Sequence, residues 1–311
     1  MSKETRCLIS WEELVKKEFD KPAWLIEPYI AAGGITFLYG ETSIGKSPLG
    51  WHLAAAVGRG DNFCGLPANQ GKVLYLELDT PQRLIHKRLT CLKPAKNVDF
   101  LFLPPLNIPT PASVDQQLLD EASAREYDLV VVNTLRKAHA LNDKEAQTVQ
   151  SVYSYFQHQF PGAALLFVHH TKKTQVDANG NYARSKENFS GAMAWLNDAQ
   201  IGLSLHRHES ELEGVNLRLC FEKSQVSEQY GPLGLYLDPK DGASLSCPKF
   251  EQLFIAYELR HESTLSGNAF DKALAKVLKC SESTAYRRRV EVESGHFPGV
   301  AWLGRKGPEE Q

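Results

Sequence analysis

The sequence predicts an α/β protein built on a mostly parallel, twisted sheet, followed by a small C-terminal helical region. Three observations lead there. Strand-like apolar runs alternate with helical stretches from Ile35 to Val168, the pattern of parallel strands joined by crossover helices that cover both faces. A glycine-containing loop, Gly40-Glu41-Thr42-Ser43-Ile44-Gly45-Lys46-Ser47, stands between the first apolar run and the first helical stretch. Composition shifts again near Pro239 to Pro248, and a small helical region follows from about Phe250. The expected organisation is a lead-in over 1–30, an α/β domain over 31–240 and a helical unit over 250–311.

In chain order, Trp11 to Val15 reads as helical, and Lys21 to Ile26 as an extended segment packed on the main domain. Strands are expected at Ile35–Tyr39, Val73–Leu78, Phe100–Leu103, Leu129–Val132 and Leu165–Val168. Helices are expected at Leu49–Val57, Pro81–Leu92, Ser113–Arg125 and Glu145–Gln159. Three later runs, Gln200–Leu205, Leu217–Phe221 and Gly234–Leu237, are separated mainly by polar loops and suggest added antiparallel edge strands. Thr171 to Ser190 is almost devoid of apolar residues and reads as a surface loop or a functional mobile one.

Composition narrows the possibilities. The 311 residues carry a formal net charge of -2 and 42% hydrophobic residues, enough for a substantial core and no whole-chain nucleic-acid signature. No apolar run approaches the roughly 18 residues of a spanning helix, and the first residues have no apolar signal core. Six scattered cysteines lack metal-ligand spacing. A cytoplasmic chain with reduced thiols and no membrane contact is the expectation.

Gly40 to Ser47 fits G-x-x-x-x-G-K-[ST] at every fixed position. Such a loop points backbone N–H groups at phosphate oxygens. Gly40 and Gly45 permit the turn, Lys46 sets a cation on the outer phosphates, and the Ser47 hydroxyl can ligate Mg²⁺. Pro48 falls in the first helical turn, where a missing N–H costs little. The expected ligands are therefore ATP and Mg²⁺, held by Gly40, Glu41, Thr42, Ser43, Ile44, Gly45, Lys46, Ser47 and Pro48.

Further candidates sit where strands end. Glu77 and Asp79, two apart, share a face at the carboxyl end of the second strand, and either can orient or deprotonate an attacking water. A strand end followed by a helix cap at Asp79 or Thr80 is the structural alternative. The fourth strand ends in Asn133, where phosphate-loop ATPases place an Asp that helps hold Mg²⁺. An amide oxygen can bind metal-bound water but brings no charge, so nucleotide binding is expected to survive better than hydrolysis. His169 and His170 end the fifth strand, placed to sense the outer phosphate; without a third ligand they predict no metal site.

These motifs together resemble the RecA-type ATPases, specifically the hexameric plasmid replicative helicases of the RepA type and their AAA-type relatives, over roughly Trp24 to Asp238. The likeness is carried by "VVVNTLRKAHALND" at Val130, "FVHHTKK" at Phe167, "LYLELDTPQRLIHKRL" at Leu74, "NFSGAMAWLND" at Asn188 and "FEKSQVSEQYGP" at Phe221. The resemblance implies an ATPase and helicase of DNA replication. It sets the catalytic carboxylate on Asp79 rather than Glu77, beside Lys46 and His169. It also implies a homo-oligomeric, hexameric ring whose ATP sites receive a cationic finger from a neighbour. The finger position aligns near Gln200, and a K-x-R element reads Lys223-Ser224-Gln225, so Lys223 is the candidate in trans. Asn133 and Lys137 replace the family's Asp and Arg.

Two regions are candidates for nucleic acid. In a ring of such domains, the segment with Lys172, Lys173, Arg184 and Lys186 would line the channel and track single-stranded DNA. In the C-terminal region Ala273, Leu274, Val277 and Leu278 recur at helical spacing, Cys280-Ser281 breaks the run, and Ser283 to Val290 reads as a second helix. This helix-turn-helix pattern, with a small wing at "GHFPGVAWLGRKG", is expected to meet duplex DNA, with Arg287 near the start of a recognition helix and Arg288 and Arg289 on phosphates. A helical hairpin used for packing is the alternative.

Overall fold

The structure, a computed structural model, describes residues 8–19, 22–142, 145–171, 192–207, 215–225 and 233–293. Helix α1 (Trp11–Lys16) and strands β1 (Trp24–Ile26) and β2 (Ile30–Ala31) lead in to β3 (Ile35–Glu41), the loop and α2 (Lys46–Arg59). Then come β4 (Val73–Glu77), α3 (Gln82–Leu89), β5 (Val98–Phe102), α4 (Ser113–Ser123), β6 (Leu129–Asn133), α5 (Leu135–Ala138), α6 (Ala146–Gln159) and β7 (Ala164–Thr171). The chain continues through α7 (Ala192–Asp198), β8 (Ile201–Arg207), β9 (Leu217–Ser224), β10 (Leu233–Leu237) and β11 (Leu245–Ser246). It ends in α8 (Pro248–Glu262), α9 (Gly267–Leu278) and α10 (Glu282–Glu293).

Among the described residues, nine strands form one sheet in the order β11-β10-β9-β8-β3-β7-β6-β4-β5. From β8 to β5 all neighbours are parallel; β9, β10 and β11 add antiparallel strands at the edge. The fold class expected from the sequence is the one observed. One strand differs: β8, expected at an antiparallel edge, runs parallel to β3 inside the sheet, with Thr36 opposite Ile201 and Gly40 opposite Leu205. The sheet also runs on to Ser246, and Ala243, Leu245 and Cys247 pack into its core.

Strand alternation splits the core. Leu38, Val73, Tyr75, Val131, Leu166 and Val168 face one side, where α2 buries Leu49, Leu53, Ala54 and Val57 against them. Phe37, Leu74, Val132, Leu165 and Phe167 face the other, under Val149, Val152 and Phe156 of α6 and Trp195 of α7. Burying each such side chain contributes roughly 1.5–3 kcal/mol, so both layers hold β3, β6 and β7 rigidly. Their carboxyl ends are where the candidate residues lie. The helical unit α8–α10 has a smaller core of its own, built from Ala256, Phe270, Leu274, Ala275 and Ala285. Among the described residues, no helix is long and apolar enough to cross a membrane.

Candidate nucleotide site

The loop between β3 and α2 turns tightly because two residues take left-handed backbone, Ser43 at φ 62° and Gly45 at φ 110°. Gly40 leaves no room for anything larger, and Gly45 takes a backbone that other residues rarely adopt. A Cβ on Gly40 would stand 2.5 Å from the carbonyl oxygen of Leu205 on β8, and one on Gly45 would stand 2.8 Å from the Leu237 side chain on β10. Ile44 is buried and pins the loop to the α2 side of the core, while Thr42 and Ser43 are exposed. Gly45 is the N-cap of α2, and the helix's first bond runs from the Leu49 N–H to the Gly45 carbonyl at 3.0 Å. Pro48 lies buried in that first turn and breaks no helical bond. A helix start with free N–H groups, reached through a tight turn, is an anion site.

Lys46 is buried, and its ammonium donates to the carbonyls of Gly40 (2.9 Å) and Glu41. Burial lowers its pKa to about 8, with Glu41 pulling the other way, so it remains a cation at neutral pH. Ser47 lies beside it. Its hydroxyl donates to Asn133 Oδ1 at 3.3 Å, and Asn133 Nδ2 in turn donates to Glu77 Oε2 at 2.6 Å. Both Asn133 and Glu77 are buried. Glu77 Oε1 also accepts the backbone N–H groups of Asp79 (3.0 Å) and Thr80 (2.8 Å). Burial pushes the Glu77 carboxyl above its usual range, against the opposing pull of these hydrogen bonds. The side chains of Ser47, Asn133 and Glu77 thus form a continuous chain across α2, β6 and β4.

Asp79 lies beyond the end of β4 and is half exposed, with Lys137 Nζ at 3.9 Å from Oδ1. The two histidines of β7 divide. His169 is buried with its ring 5.6 Å from that of Phe37, on the α6 side of the sheet. His170 sits opposite Gly40 in the register, and its charge couples to Lys46 and Asp79. The histidine that meets the phosphate loop is therefore His170, whereas the family resemblance favours His169.

Burial and the Lys46 cation hold the His170 pKa down to about 4, while Asp79 pulls it up. His170 is accordingly neutral at pH 7. The folded value lies below the ordinary 6.5, so the unfolded chain binds more protons between about pH 4 and 6.5, and stability falls as pH drops through that window. His170→Gln is expected to flatten this acid limb. Urea unfolding at a series of pH values should show a difference of at most about 3 kcal/mol from the parent; parallel curves would mean that His170 is not held in this way.

The donor set suits a magnesium nucleotide. Hydroxyl, amide oxygen and carboxylate are hard oxygen ligands, and Mg²⁺ takes only one or two carboxylates beside substrate phosphates. Among the described residues, no three His, Cys, Asp or Glu side chains gather into a metal-ligand cluster.

Several expected residues lie away from this site. Gln200 accepts the Ile35 N–H at 2.6 Å, at the amino end of β3 and thus the far end of the sheet from the loop. Gln225 closes the same corner, its N–H on the Gln200 carbonyl at 3.0 Å. Lys223 donates to the carbonyls of Leu196 (3.3 Å) and Asn197, closing the end of α7 in its own chain. Lys172, Lys173, Arg184 and Lys186 lie outside the described residues, as does the expected wing. Of the three consecutive arginines on α10, Arg287 alone is exposed. Arg288 and Arg289, expected on phosphates, are directed inward instead. Arg289 makes a two-pronged contact with buried Asp271 at 2.8 and 3.2 Å, and Arg288 bonds Gln252 at 2.9 Å and Glu291 at 3.3 Å. Sequence reasoning also missed the Glu77–Asn133 bond, since it joins strands 56 residues apart.

No curated protein matches the chain. Among solved structures, a KaiC-like protein from the hyperthermophilic archaeon Pyrococcus horikoshii OT3 is similar at 10% identity and a TM-score of 0.49, over 71% of this chain and 92% of that one. A family model described as an AAA domain matches residues 2–176, just over half of the 311 residues and all of the segment from β3 to β7. The chain belongs to the AAA domain family.

Proposed function

We propose that this chain is an ATP-binding and ATP-hydrolysing motor of RecA-like type that assembles into a ring and acts on single-stranded DNA, as a replicative helicase or translocase of a mobile element. The observation that carries the reading is the convergence of Lys46, Ser47, Asn133, Glu77, Asp79 and His170 at the carboxyl ends of β3, β6, β4 and β7. Loop N–H groups and Lys46 would bind the phosphates. Ser47, with Asn133 through water, would hold Mg²⁺, which when bound neutralises charge on the outer phosphates. Glu77 fixes the Asn133 amide so that its oxygen faces Ser47. Asp79, the exposed carboxylate, orients the attacking water. His170 stands opposite Gly40 of the loop and two residues before the basic stretch that begins at Lys172 in the sequence, which supports a link from nucleotide to DNA.

Lys46→Ala is expected to weaken ATP binding about 10- to 100-fold by removing a charge-assisted contact; titration with a fluorescent nucleotide reads it, and retained affinity would undo the assignment. Steady-state hydrolysis should rise on adding single-stranded DNA. A second reading, an ATP-dependent DNA-binding switch or a recombination or repair accessory with weak or no hydrolysis, is favoured by the uncharged Asn133 and predicts ATP binding without DNA-stimulated hydrolysis.

A further inference from the structure

The helical unit sorts its charges. Its turn is short: Lys279 ends α9 in the left-handed region at φ 51°, and the Ser281 hydroxyl accepts the Thr284 N–H at 3.2 Å to start α10. The carboxylates point inward or sideways onto arginines, Asp271 onto Arg289, Glu291 onto Arg288, and Glu293 onto Arg260 and Arg289. What remains outside is cationic. Among the described residues Lys272, Lys276, Lys279 and Arg287 are exposed with no carboxylate in an ion pair, against two exposed acids, Glu282 and the already paired Glu293. On α10, Ser283, Tyr286, Arg287 and Val290 are all exposed at i, i+3, i+4 and i+7, a single stripe along the helix.

We propose that this outward face of α9 and α10 binds duplex DNA, with the α10 stripe in the major groove and Lys272, Lys276 and Lys279 on the flanking phosphates. An α-helix with one continuous stripe fits the width of that groove. A polyanion is the partner that matches four cations facing out with their internal acids already neutralised. Arg287 presents donors suited to guanine, and Val290 an apolar contact suited to a thymine methyl. None of these residues belongs to the nucleotide site, so the proposal holds whether or not the chain is a motor.

The experiment uses the full-length chain without nucleotide, with a labelled 30-base-pair duplex and the matching single strand, read by fluorescence anisotropy at several salt concentrations. The parent is expected to bind the duplex, with affinity falling steeply as salt rises. In K272A/K276A/K279A the slope of log affinity against log salt should shrink by about 2 to 3, at roughly 0.9 for each phosphate that is no longer neutralised. Glu282→Lys should tighten duplex binding, a gain that unfolding cannot mimic. A parent that ignores duplex, a triple variant with an unchanged slope, or a loss on single strands equal to that on duplex each overturns the assignment.

Discussion

Glu77→Gln is expected to lower ATP turnover about 10- to 100-fold, the usual loss when a group that orients a metal ligand is removed. Glutamine can still meet Asn133, but it takes the carboxylate out of a buried contact 2.6 Å long. The reciprocal change is the more informative one. The family pattern suggests that Asn133→Asp should restore a missing charge. In this chain it would set one carboxylate against another at that same short distance, and two such groups cannot both ionise. Asn133→Asp alone is therefore expected to give no gain, whereas E77Q/N133D should recover turnover to within a few-fold of the parent. Phosphate release measured across a Mg²⁺ titration checks all three. A gain in the single Asn133→Asp variant, with Glu77→Gln silent, would show that the negative charge has not moved from β6 to β4.

Arg289→Ala is expected to destabilise the α8–α10 unit by about 3–5 kcal/mol, because it strands buried Asp271 without its cation. A core this small, Phe270 and Leu274 with three alanines among the described residues, cannot absorb such a loss. Hydrogen exchange over 248–293 should rise to the rate of an open chain, while α2 and β3 stay protected. D271R/R289D should return part of the protection. The result separates a residue that holds the fold from those proposed to touch DNA, since the lysine variants should leave exchange unchanged.

The phosphate loop and the strand–helix alternation were legible because each is local: a fixed spacing of glycines and Lys46, and runs of apolar residues long enough to show their period. What failed was register and pairing. Ile201, Leu203 and Leu205 alternate with Gly202, Ser204 and His206, the pattern of a strand with one wet face, which suits antiparallel pairing. The alternation is real, but β8 lies beside β3 and parallel to it, reached in the chain from β7 by way of α7. The choice between His169 and His170 depended on parity. Leu166 and Val168 face α2, so His170 does too; counting from the apolar residues would have found it. Arg288 and Arg289 looked like a phosphate clamp because their partners, Gln252 and Asp271, belong to other helices. Spacing within α10 alone does show that Arg288 falls three residues after buried Ala285, on the inward side.

The position of β8 has a practical consequence. The family match ends at residue 176, yet the strand bearing the phosphate loop has its second neighbour at Ile201–Arg207. A chain ended at 176 would leave β3 as a raw edge, its backbone groups unpaired along five residues and open to pairing with another molecule. It would also strip Leu217 and Leu237 from behind Gly45. The segment that identifies the family is therefore no autonomous folding unit. A soluble fragment that keeps the phosphate loop intact has to extend through Cys247, where the last of the buried sheet-side residues is reached.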